Sequence, residues 1–62
     1  MKSYFLYWVQ GYDFYDKERD LYMNVVDCEV FAKDEKEAMV KAKKMVNKPN
    51  HRIKGCYEKL LT

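Results

Sequence analysis

The strongest constraint on the fold is a run of five charges, Asp16-Lys17-Glu18-Arg19-Asp20, set between two stretches of strand-forming residues. The run has no apolar anchor, so it belongs in solvent as a turn. Before it, residues 3–15 are dense in Tyr, Phe, Trp and Val, types that suit a pleated, half-buried surface. After it, residues 21–33 return to strand character. Val26, Cys28, Val30 and Ala32 alternate with Asp27, Glu29 and Lys33, the period-two signature of a strand with one buried face. Two such strands around one short turn predict an antiparallel hairpin.

A helix is predicted next. Asp34 is placed as its N-cap, with Glu37 three residues on as a variant of the capping box. Residues 35–47 lack Gly and Pro, and Ala38, Ala42, Met45 and Val46, with Met39 beside them, form one apolar stripe. Lys36, Val40, Lys43 and Lys44 face away. Pro49 disfavours helical geometry in the residue before it and is expected to end the helix. Residues 51–61 contain Ile53, Cys56, Tyr57, Leu60 and Leu61 in imperfect alternation and are read as a third strand. Gly55 marks a bulge or a close backbone approach. The expected fold is α+β, in the order ββαβ, with one helix on one face of a three-stranded sheet. The third strand can pair with the first in either direction.

At 62 residues the chain is one domain, 1–62, with a small core. Its size argues against an enzyme. The apolar start, Tyr4-Phe5-Leu6-Tyr7-Trp8-Val9, is bulky and has no small-residue cleavage site after it, so it reads as a strand and not a signal peptide. No run is long enough to span a membrane as a helix. Cys28 and Cys56 are expected to be reduced thiols in a cytoplasmic protein. One histidine, His51, and one serine, Ser3, sit at opposite ends of the chain. No triad, zinc-ligand spacing or phosphate-binding loop is present. No catalytic set, metal or cofactor is expected, and His51 is expected at a solvated strand start.

Charge and aromatics divide the chain. Residues 1–31 carry three basic and six acidic side chains, and residues 32–62 carry nine basic and four acidic ones. Eight of the ten aromatics lie in residues 1–22, within the acidic half. A 12-residue strand is about 40 Å long, whereas a 13-residue helix is about 20 Å long. The helix therefore covers about half the hairpin, and the far end, with Tyr12, Asp13, Phe14, Tyr15, Asp16, Asp20 and Tyr22, is expected to project as an arm unless the loop folds back. One helix also covers only one sheet face, so an aromatic row is left on the other. Leu6 and Trp8 are expected to face the helix, with Val25 and Phe31 among the neighbours of the open row.

The stretch Val30-Phe31-Ala32-Lys33-Asp34-Glu35-Lys36-Glu37-Ala38-Met39-Val40-Lys41-Ala42-Lys43 is a strand leading into a capped helix of E-A-x-x-x-A-K type. In layout, over residues 24–57, it resembles a module of small bacteriophage and mobile-element proteins, including some anti-CRISPR inhibitors. The resemblance implies a phage-encoded protein that acts by binding a bacterial host protein, in the cytoplasm of the host. It carries no site residues with it.

The first expectation is a protein-binding module with Tyr12, Phe14, Tyr15 and Tyr22 as apolar anchors. Asp13, Asp16 and Asp20 would meet basic groups on the partner. The second is nucleic-acid binding through Lys36, Lys43, Lys44, Lys48, Arg52 and Lys54, with sheet aromatics stacking on bases. A homodimer through the open face or an edge strand is compatible with both.

Overall fold

The computed structural model describes residues 3–59. Strands β1 (Phe5–Asp16) and β2 (Leu21–Ala32) form the hairpin, helix α1 (Glu35–Val46) follows, and β3 (Arg52–Glu58) closes the sheet. The strand order is β2-β1-β3, antiparallel throughout. The α+β ββαβ layout is thus the one expected, and the direction of β3 is settled as antiparallel to β1. Leu60 and Leu61, read as the end of the third strand, lie outside the described residues.

The helix starts where Asp34 places its carboxylate on the Glu37 amide, at 2.8 Å. The capping box is one-sided, because the Glu37 carboxylate lies between Lys41, at 3.2 Å, and Lys33, at 3.9 Å. The helix ends before Pro49 acts. Asn47 takes the left-handed conformation (φ 49°) and its amide bonds to the Lys43 carbonyl, a C-terminal cap that asparagine tolerates better than most residues.

The core is Tyr7, Val9, Val30, Ala32, Ala38 and Ala42, with Cys28, Ile53 and Cys56 packed against it. The helix touches the sheet through two alanines, so backbone approaches backbone closely. Tyr7 and Val9 face the helix, and Trp8 is 38% exposed on the other side, which corrects the expected burial of Leu6 and Trp8. Register is the reason. Antiparallel partners share a face, and β1 pairs Tyr7 with Val30, Trp8 with Glu29 and Val9 with Cys28. Burying Trp8 would have buried Glu29 with it. Met45 is likewise 60% exposed and not part of the buried stripe.

The imperfect alternation of β3 is a bulge. The pairing with β1 shifts between Gln10 and Gly11, so Gln10 faces Gly55 while Gly11 faces Ile53. The extra residue lets Ile53 and Cys56, three apart, both reach the core. Gly11 is where backbones come close: a Cβ there would stand 2.4 Å from the Arg52 carbonyl oxygen. His51, expected in solvent, is 6% exposed and packs beside Gly11. Cys28 and Cys56 flank Val9 on opposite neighbours, about 9–10 Å apart at two strand spacings, too far for a disulfide.

The hairpin is straight. The molecule measures 49 × 21 × 13 Å, and its radius of gyration is 12.9 Å, against about 10.6 Å for a compact chain of this length. β3 pairs with β1 only from Tyr7 to Tyr12. Beyond Tyr12 the two hairpin strands continue alone, so the far end projects as an arm.

Candidate functional site

The arm holds itself together with the groups expected to meet a partner. Asp13 accepts a hydrogen bond from the Asn24 side-chain amide. Asn24 is left-handed (φ 65°), so this pair fixes an irregularity at the root of the arm. At the tip, Asp16 accepts from the amides of Glu18 and Arg19, at 3.0 and 3.3 Å, and pairs with the Arg19 side chain at 3.7 Å. Asp20 accepts the hydroxyl proton of Tyr15. That bond, more than burial, raises the Tyr15 pKa. The Tyr15 and Tyr22 rings pack at 4.9 Å between centroids. All three expected acids therefore have partners within the chain. Phe14 stays 52% exposed, in company with three exposed apolar residues of β2: Val25, expected beside the open row, and Leu21 and Met23, which were not expected there.

The helix-free face at the base is the second apolar surface. Leu6, Trp8, Gln10 and Tyr12 of β1 lie there between Phe31, Glu29, Asp27 and Val25 of β2 and Tyr57, Gly55 and Arg52 of β3. Trp8 and Tyr57 are neighbours, with ring centroids 6.4 Å apart. Gly55 leaves room for this, because a Cβ on it would stand 2.6 Å from the Tyr57 hydroxyl. Lys59 spans the face to meet Glu29 at 2.7 Å. Trp8, Tyr57 and Phe31 all keep substantial exposure. The sequence signal for Trp8 lay in the acids of β2, whose partners on β1 must share their outward face.

The basic residues do not form one patch. Lys43 donates to the His51 carbonyl at 2.6 Å and secures the loop before β3. Lys44 lies with Lys41 and Met45 over Glu29, Val30 and Phe31, in a groove of about 420 Å³ at the β2 edge. Arg52 stacks on Tyr22, 5.0 Å from the ring centroid, and joins Lys54, Tyr12, Tyr22 and Ile53 around a cleft of about 270 Å³. Lys36 is exposed on the helix and Lys48 on the loop that follows it. The cleft brings residues of the acidic and the basic halves of the chain together, which composition alone did not suggest.

Burial lowers the His51 pKa, helped by the Lys43 ammonium and opposed by Asp13. Both burial and Lys43 thus favour the neutral ring, and its Nδ1 has no hydrogen-bond partner among the described residues. Burial raises both thiol pKa values, with added effects from Asp27 on Cys28 and from Glu35 on Cys56. Both shifts favour the thiol over the thiolate, the more nucleophilic form. Among the described residues no three His, Cys, Asp or Glu side chains cluster as metal ligands. No helix among them is long and apolar enough to cross a membrane. No protein-family model, curated protein or solved structure matches the chain.

Proposed function

We propose that this chain is a protein-binding module that docks through the helix-free sheet face and the projecting arm. The observation that carries the reading is the exposed Trp8–Tyr57 pair beside Leu6 and Phe31, on a face that no other element covers among the described residues. Contiguous apolar surface of this kind marks interfaces, and Trp and Tyr supply their strongest anchors. On this reading Trp8, Tyr57 and Phe14 bind, while Asp13, Asp16 and Asp20 chiefly keep the arm in shape. The resemblance to small phage and mobile-element proteins directs the search to a bacterial host protein, and to inhibition of a defence complex as the consequence. The test is affinity capture from bacterial lysate with the wild-type chain and with Trp8→Ala/Tyr57→Ala, each first checked for folding by circular dichroism. Loss of a specifically retained protein in the double variant is expected. Identical retention by both would remove the face from the binding site.

A second reading has its own observation. Tyr12 and Tyr22 stand with Arg52 and Lys54 around one cleft, a pairing of stacking rings and cations that suits single-stranded nucleic acid. Filter binding at low and moderate salt tests it. This reading requires affinity that falls steeply with salt, and it fails if there is no binding or a flat salt response.

A further inference from the structure

The two edges of the sheet are unequal. β3 is short, bulged at Lys54 and charged at Arg52, Lys54 and Glu58, the usual ways of blunting an edge. β2 is 12 residues long and exposes Leu21, Met23, Val25 and Phe31. Backbone parity decides what its outer edge offers. The Lys59 amide donates to the Leu6 carbonyl, so the backbone groups of Leu6 face β3. Its partner on β2, Phe31, must then point its N–H and C=O away from β1. The pairing skips Asp13 and Asn24, where Asn24 is left-handed, but resumes in the same register at Phe14 and Met23, so Glu29, Asp27 and Val25, and beyond the irregularity Met23 and Leu21, do the same. Among the described residues, the base end of this edge is protected where the Lys41 ammonium donates to the Phe31 carbonyl.

We infer that this edge pairs with the same edge of a second copy, antiparallel, about a two-fold axis at Val26. Hydrogen-bonding parity requires odd residues of one β2 to face odd residues of the other. Among such registers, an axis at Asp27 would set Asp27 against itself, one at Cys28 would set Asp27 against Glu29, and one at Glu29 would set Glu29 against itself. The axis at Val26 avoids all three and still pairs the strand from Leu21 to Phe31. It sets Leu21 against Phe31, Met23 against Glu29 and Val25 against Asp27. It also sends the arm of each copy along the base of the other, where the groove is lined by Val30, Phe31 and Met45 with Lys41, Lys44 and Glu29. In this register the two helices lie at opposite ends of the joined sheet.

Charge selects a second copy as the occupant. Lys33 and Lys41 share one carboxylate, Glu37, Glu29 is taken by Lys59, and no ion pair holds Lys44 among the described residues, so the base rim has surplus positive charge. The turn that arrives beside it carries Asp16, Glu18 and Asp20 against Lys17 and Arg19, a surplus of negative charge.

Sedimentation equilibrium of the full chain, from micromolar to millimolar concentration, tests the inference. A species of twice the 7.6 kDa chain mass is expected. Asp27→Pro removes an amide that points outward and none that bonds β1, so it should leave the circular dichroism spectrum intact and give a monomer across the same range. Val26→Cys examines the register directly. At the axis its thiol meets its own copy in a non-hydrogen-bonded pair, about 4.5 Å between Cα atoms, within disulfide reach. Mild oxidation should therefore link the dimer through position 26, and peptide mass spectrometry should locate the link there. A monomer at every concentration, a dimer that persists in a folded Asp27→Pro variant, or the absence of a link through position 26 would each overturn the inference.

Discussion

The base and the arm of the hairpin are made of the same two strands, yet different forces hold them. At the base, β3 and the helix close around Val9, which is 1% exposed, and around Ala32, Ala38 and Ala42. Dispersion and apolar burial hold that end. In the arm, two strands stand without a third, and side-chain hydrogen bonds and one ring contact hold the shape: Asp13 with Asn24, Asp20 with Tyr15, and Tyr15 against Tyr22. An isolated two-stranded hairpin is marginal in water, so the arm depends on the base that anchors it. The base is thus where stability resides, and the arm and open face are where surface is left for binding.

The hardest way to break this division is to push the base apart. Gly11→Val places side-chain atoms on the Arg52 carbonyl, a backbone group that cannot swing aside. A loss of about 3 kcal/mol is expected. That approaches the whole stability of about 3–9 kcal/mol for a chain this size, so the thermal transition should collapse. The contrast itself is measured by two truncations. Val9→Ala should cost about 2 kcal/mol by chemical denaturation. Phe14→Ala, on the exposed arm, should stay within about 0.5 kcal/mol while weakening capture of a partner. Equal losses from the two would show that the arm is part of the core. Removing the helix cap with Asp34→Ala should cost about 1 kcal/mol, read from the same denaturation curves.

A pH series sharpens the comparison without changing the base's packing. His51 is buried at the root of β3 and its pKa is lowered there, chiefly by burial and next by Lys43. The fold thus favours the neutral ring. Its contribution is fully present above the unfolded histidine pKa of about 6.5 and is lost as pH falls through the lowered folded value. Stability should decline as pH drops from about 6.5 through the lowered folded value and level off below it as far as this group is concerned, and His51→Gln should flatten the histidine part of the decline. An unchanged slope in that variant would show that another group titrates.

Much of this fold was legible in the sequence. The charged run at residues 16–20 located the turn, the alternation of Asp27, Glu29 and Lys33 with Val26, Cys28 and Val30 defined the inner face of β2, and Asp34 marked the helix start. The projecting arm followed from two lengths, a strand about 40 Å long beside a helix about half that length. The candidate site was legible only in part. Tyr15, Tyr22 and Asp20 do come together, but their acids turn inward, because in a two-stranded arm the nearest donors are on the arm itself. Trp8 and Tyr57 were missed as neighbours because a 12-residue aromatic strand has no alternation of its own to say which row is buried.

Local chemistry determined the elements: where the chain turns, where the helix is capped, and which face of β2 must avoid water. Register, the bulge and close approach were decided only in three dimensions. A one-residue slip exchanges the faces of a whole strand, so the choice of Tyr7 over Trp8 belonged to the pairing of β1 with β2 and not to either strand. The bulge opposite Gln10 and Gly11 brought Ile53 and Cys56 to one side, and glycine at position 11 let His51 and Arg52 press in until the imidazole left solvent. Each of these depends on contacts between residues far apart in the chain, which no local pattern encodes.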